Sequence, residues 1–137
     1  MKSFVTTALT GGLVASAGFV SAGHGHSAAA VDWPQAQRIE VRMIEYEFVP
    51  STLRLHHGVP YRLHLINAGK EGHDFTAPDF FAAVQVKNRD ALTDGRSIYL
   101  PPGASADVYF IAPAAALFAP RCADHDWAGM TATIVID

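Results

Sequence analysis

Cysteine is nearly absent from this chain. Cys122 is the only one in 137 residues, so no internal disulfide can form and no cysteine near the start is available for lipidation. Charge is sparse as well. Asp, Glu, Lys and Arg make up 17% of the residues and leave a net charge of −3, too weak a balance and of the wrong sign to draw the chain to nucleic acid. There is no phosphate-cradling glycine loop, no Gly-x-Ser-x-Gly nucleophile elbow and no His-Glu-x-x-His zinc helix. Without them the usual nucleotide-dependent and hydrolytic chemistries have no anchor. Internal repeats and low-complexity blocks are missing too.

The one long apolar stretch stands at the start and is too broken to span a bilayer. Met1-Lys2 gives a short positive beginning, residues 4–20 are apolar or small without charge, and Val20-Ser21-Ala22 suits cleavage before Gly23. Gly11, Gly12 and several Ser and Thr interrupt the run, so residues 1–22 read as a signal peptide and not as a stable membrane anchor. Export to the periplasm follows, with a mature chain of about 115 residues, enough for one hydrophobic core. A free thiol in an oxidising compartment is a liability unless it has a use. Residues 23–36, with His24 and His26, read as a flexible leader, and the domain is expected over residues 37–137.

From Gln37 onward the chain alternates polar and apolar residues with period two, the pattern of half-buried strands. Arg38-Ile39-Glu40-Val41-Arg42-Met43 is the first such run, and Glu45-Tyr46-Glu47-Phe48 is expected to continue it in register or after a bulge. Residues 52–56 and 61–66 are expected to pair as a hairpin across His57-Gly58-Val59-Pro60. That pairing turns Leu53, Leu55, Leu63 and Leu65 to the core and leaves Arg54, Arg62 and His64 outside. Residues 73–77, 97–100, 106–111 and 131–136 read as further strands, while Phe80-Phe81-Ala82-Ala83-Val84 fits a helical turn or a strand equally well. Seven to eight short strands between Gly and Pro turns, with little helix, make this an all-β chain folded as a β-sandwich.

One loop carries chemistry. Cys122, His125 and Met130 stand in the spacing Cys-x2-His-x4-Met, directly before the terminal strand. A soft thiolate, a borderline imidazole and a weak thioether are what a mononuclear copper site takes, with a second imidazole supplied from elsewhere. His73, in Asn67-Ala68-Gly69-Lys70-Glu71-Gly72-His73-Asp74-Phe75, is the candidate. Each of these residues alone would be read as core or surface; the set is far more specific. Together with that upstream segment it resembles the cupredoxins, the small blue copper proteins, and among them the plastocyanin and pseudoazurin branch, across roughly residues 38–137.

The resemblance implies a cupredoxin-like Greek-key β-sandwich holding one type 1 copper per chain. His73 would be delivered by the sheet, and Cys122, His125 and Met130 by the loop between the last two strands. It implies a monomeric one-electron carrier working between a redox protein donor and acceptor, with His125 as the electron port and Trp127 and Ala128 in the contact patch or, for Trp127, in the core. A dinuclear centre would need a second cysteine, and a coupled second copper would need a His beside the Cys where Arg121 stands. Zinc would not choose a thioether.

Three departures from the family pattern stand out: Asp74 where relatives carry Asn, Arg121 before the Cys, and the acidic pair Asp124 and Asp126 around His125. Asp74, if charged, would favour the oxidised ion, unless Arg121 neutralises it across the two loops. The alternative role is periplasmic copper resistance or sequestration, suggested by the surplus of donors in His24, His26, His56, His57, His64 and Met43. Of these, His24, His26, His56, His57 and His64 are the residues that could form a second copper site, the first two near the new N-terminus.

Overall fold

The computed structural model describes residues 29–137. The signal peptide expected over residues 1–22 lies outside them, as do His24 and His26. Trp33–Gln35 forms a single 3-10 turn, with the Trp33 ring edge-on to Tyr109 at 6.1 Å. The domain then runs through ten strands and one short helix: β1 (Gln37–Ile44), β2 (Glu47–Val49), β3 (Thr52–Leu55), β4 (Pro60–Asn67), β5 (His73–Thr76), α1 (Pro78–Ala83), β6 (Gln85–Val86), β7 (Ser97–Leu100), β8 (Ser105–Ile111), β9 (Ala116–Phe118) and β10 (Thr133–Ile136).

The strands form one five-stranded sheet, in the order β2-β1-β4-β8-β6, and two smaller ladders, β3-β10-β9 and β5-β7. Bridges from Arg121 to Thr76 and to Thr131 tie the chain entering the cysteine loop to β5 and to the approach to β10. Both layers feed one core. Val41, Met43, Leu63, Leu65, Val108 and Phe110 come from the large sheet, and Leu53, Leu55, Phe75, Ile98, Ile134 and Ile136 from the smaller ladders. This is the β-sandwich that the strand pattern and the cupredoxin resemblance implied. Segment 80–84, which periodicity left open, falls mainly in α1, a helix with Pro78 at its start and Phe80 and Phe81 buried. Phe80 packs edge-on against Phe81, Phe110 and Phe118, with ring centroids 5.2 to 5.4 Å apart, and so pins the helix to both layers.

Two strand pairings differ from the sequence reading. The segments 52–56 and 61–66 do not form a hairpin: β3 pairs in parallel with β10, while β4 lies in the other sheet between β1 and β8. Leu53, Leu55, Leu63 and Leu65 are all buried as expected. Alternation reports only that a strand has a core face, and two strands facing each other across a core alternate just as two neighbours in one sheet do. The turn between them is anchored to both layers, His57 N–H donating to the Asp137 carbonyl and Gly58 N–H to that of Ala112.

Nor does the run at Glu45-Tyr46 continue β1. The chain reverses there, and β2 folds back antiparallel with Met43 opposite Phe48 and Ile44 opposite Glu47. Met43 and Phe48 are both buried although an odd number of positions separates them, which a continuous period-two strand does not allow. The reversal places Glu45 and Tyr46 at a hairpin tip, over the end of the sandwich where β5 begins.

Candidate metal centre

His73 opens β5 and is delivered by the turn that follows β4. Asn67, at the end of β4, organises that turn from the buried side. Its amide nitrogen donates to the carbonyls of Glu71 (2.7 Å) and Leu100 (2.9 Å), and its amide oxygen accepts the Gly69 N–H at 2.9 Å. A buried side chain with three hydrogen bonds holds the turn in one shape. His73 itself is fully buried.

The loop between β9 and β10 brings the other donors. Cys122 N–H donates to the Met130 carbonyl at 3.0 Å, His125 N–H to Cys122 (3.2 Å), and Met130 N–H to His125 (3.3 Å). Within it Asp126–Ala128 makes one 3-10 turn, and Gly129, at φ 84°, reverses the chain so that Met130 returns beside Cys122. The loop is latched to β5 by a reciprocal pair of backbone bonds between Thr76 and Arg121, at 2.8 and 3.0 Å. Cys122 and Met130 are fully buried, and the His125 side chain is 13% exposed.

His73, Cys122 and His125 converge. His73 Nδ1 lies 3.2 Å from His125 Nδ1, Cys122 Sγ lies 3.4 Å from His125 Nδ1, and one donor atom from each residue falls within 4.8 Å of the other two. Donors about 2.0–2.3 Å from one first-row ion at open angles stand roughly 3–4 Å apart, so the spacing suits a single ion. One sulfur and two imidazoles, with a thioether next in the loop, is the copper set and not the zinc set. The three residues form a candidate copper site. Burial pushes the Cys122 thiol above its ordinary pKa, and the nearby Asp74 carboxyl adds to the rise.

Carboxylates surround the cluster. Asp74, almost wholly buried, accepts the Ala123 N–H at 2.9 and 3.1 Å on its two oxygens and the hydroxyl of Thr76, and its Oδ2 lies 3.4 Å from Cys122 Sγ. The Asp74 N–H also points at that sulfur, at 3.4 Å. Arg121 does not neutralise Asp74 as the charge pattern allowed; its guanidinium pairs with Asp126 at 2.6 Å on the loop's outer face. Two further carboxylates, not expected from the sequence, face the histidines: Glu45 Oε1 lies 3.3 Å from His73 Nε2, and Glu71 Oε2 lies 3.0 Å from His125 Nε2. The Tyr46 ring lies against His125 at 4.9 Å and against Trp127 at 5.9 Å. Trp127 is 76% exposed, so its ring belongs to the surface and not to the core.

Two of the other histidines singled out pair with carboxylates outside the cluster. His56 Nδ1 meets Asp137, and His64 Nδ1 lies 2.7 Å from Asp107. Glu45, Tyr46 and Glu71 escaped sequence reasoning because a strand reversal, invisible to period-two alternation, brings the first two to the turn that carries the third.

A β-sandwich with a buried sulfur and two imidazoles gathered at one end is the cupredoxin arrangement, in fold and in donor set. Auracyanin B is similar to this chain with 26% identity and a TM-score of 0.58, over 74% of this chain and 89% of its own. A sodium-dithionite-reduced auracyanin from the photosynthetic bacterium Roseiflexus castenholzii shares the fold at 17% identity and a TM-score of 0.56, covering 74% and 98%. No protein-family model matches the sequence, and no curated protein is significantly similar to it. Among the described residues no helix is long and apolar enough to cross a membrane.

Proposed function

We propose that this is an exported, periplasmic type 1 copper protein that carries single electrons between redox protein partners and works as a monomer. His73, Cys122 and His125 would hold the ion, with the Met130 thioether as a further, weaker donor. Bound by such a set, copper supplies a one-electron couple with little rearrangement between its two states. The observation that carries the reading is the convergence of His73 Nδ1 and Cys122 Sγ on His125 Nδ1, at 3.2 and 3.4 Å, on buried or nearly buried side chains.

The chain's own part is to keep these donors fixed and dry. The Thr76–Arg121 latch and the Cys122–Met130 backbone bond hold the loop against β5, which favours the small displacement that fast electron transfer needs. The core shields the sulfur from water on its buried side. At the outer end, Tyr46 and the exposed Trp127 ring beside His125 offer an aromatic contact surface for a partner.

Sequestration of copper drew its support from surplus donors. Of these, Met43 packs in the core, His56 and His64 face carboxylates, and the described residues hold one three-donor cluster, which supports the carrier instead. Copper titration of the metal-free protein tests both readings. One tightly held ion per chain with an intense visible thiolate-to-copper band, lost in Cys122→Ser, is the expected result. Two or more tight ions would favour sequestration, and uptake without the band would remove Cys122 from the site.

A further inference from the structure

We infer that Glu45 and Glu71 are positioning residues for the two imidazoles of the metal centre. Each accepts the Nε2–H of one histidine, so that its Nδ1 faces Cys122, and their charges favour the divalent over the monovalent ion. The inference rests on the copper reading above and extends it to residues outside the ligand set.

The geometry is complementary at both rings. His73 turns Nε2 to Glu45 (3.3 Å), and His125 turns Nε2 to Glu71 (3.0 Å), while their two Nδ1 atoms stand 3.2 Å apart next to the sulfur. A neutral imidazole carries one N–H. An acceptor at Nε2 keeps the proton there and leaves the Nδ1 lone pair free for a metal, as the outer partner of a ligating histidine does. A carboxylate behind each imidazole makes the ring a better donor.

Glu45 is built into its place. Its Oε1 also accepts the backbone N–H groups of Lys70 (2.5 Å) and Glu71 (2.8 Å). The space it occupies exists because residue 69 is glycine: a Cβ there would lie 2.4 Å from that same oxygen. Hydrogen bonds from two backbone N–H groups favour the anionic form of the Glu45 carboxylate. Glu71 is held on its other oxygen by the Tyr46 hydroxyl at 3.1 Å, and the Tyr46 ring in turn covers His125. With Asp74 beside Cys122, each of the three strong donors has a carboxylate of its own.

The two contributions differ in size. The Glu45 side chain is 27% exposed and that of Glu71 50%, so water screens the second charge more than the first. Glutamine is the informative replacement, because its carbonyl can still accept from Nε2–H and only the charge is lost. In the copper-loaded protein, redox titration of Glu45→Gln should show the preference for the divalent over the monovalent ion falling on the order of tenfold, a potential rise of about 59 mV. Glu71→Gln should give a smaller rise. Potentials unchanged or lowered in both would overturn the charge effect, since loss of a purely structural contact does not predict a rise ordered by exposure.

The positioning has its own readout without metal. Nitrogen NMR of the metal-free protein at mildly alkaline pH should show His73 and His125 in the Nε2–H form. Glu45→Ala and Glu71→Ala should each shift their own histidine toward Nδ1–H. A wild-type protein in the Nδ1–H form at both rings overturns the positioning. A wild-type chain that takes up no copper sinks the copper reading and the charge effect with it, and the imidazole spectra then decide the positioning alone.

Discussion

Asp74 places a carboxylate where the resemblance led one to expect an amide, and it performs the amide's tethering task by another route. Both its oxygens accept the Ala123 N–H, which joins β5 to the cysteine loop without any help from Arg121. One of them also sits 3.4 Å from the sulfur. As a thiol, Cys122 can donate a proton toward that oxygen. As a metal-bound thiolate it faces a second anion at the same distance, and a more highly charged ion relieves that repulsion better. Asp74→Asn keeps an oxygen for Ala123 N–H and removes the charge, so the reduction potential should rise with the fold intact. A redox titration showing no change, or a fall, would count against this. Copper uptake should also release the Cys122 proton, so affinity for the metal rises with pH until the raised thiol pKa is passed. Proton release measured during titration in weak buffer checks the sign.

The turn between β4 and β5 shows what one buried amide contributes to an element. Asn67→Ala removes three hydrogen bonds and leaves the Leu100 carbonyl and the Gly69 N–H to find other partners, at a cost of about 1–3 kcal/mol. Because the turn also carries Glu71 and delivers His73, the variant should lose stability in denaturant melts and bind copper less tightly, while a surface change such as Arg54→Lys does neither. The Asn-x-Gly-x-x-x-His segment was legible as a unit in the sequence, and so was the Cys-x2-His-x4-Met loop, since both are contiguous and rich in residue types that few other structures need. The β1–β2 reversal and the separation of β3 from β4 were not. They depend on which strand lies beside which, and Leu53 and Leu63 look the same in either arrangement. Glu45 lay hidden for the same reason, an ordinary surface glutamate until the reversal brings it to His73, and Glu71 until the cysteine loop lays His125 against the β4–β5 turn.

At the scale of the whole molecule, the large sheet carries a bidentate ion pair away from the candidate metal centre. Arg62, opposite Tyr109 in the ladder, reaches diagonally to Asp107 with two parallel bonds (3.0 and 2.8 Å), and His64, directly opposite Asp107, meets the same carboxylate. Arg62 first, with His64 assisting against the opposing effect of burial, holds the Asp107 carboxyl below its ordinary value of 3.8. A depressed carboxyl contributes stability that is fully present above its unfolded pKa and is lost as pH falls through the folded one. Asp107→Asn should therefore cost about 0.5–1 kcal/mol at neutral pH and flatten the loss of stability below about pH 4. Denaturant melts of both proteins across that range provide the check. A parallel acid limb in the two would assign the fall to other carboxyls.

The hairpin tip of β1 and β2 hangs from the large sheet, yet its Glu45 touches a histidine that belongs to the smaller β5-β7 ladder. Slippage of one layer against the other should therefore alter the surroundings of the candidate copper site while most of the backbone ladder is still intact. The hue of the loaded protein becomes a strain gauge for the sandwich, changing in mild denaturant before the far-ultraviolet signal of the strands does.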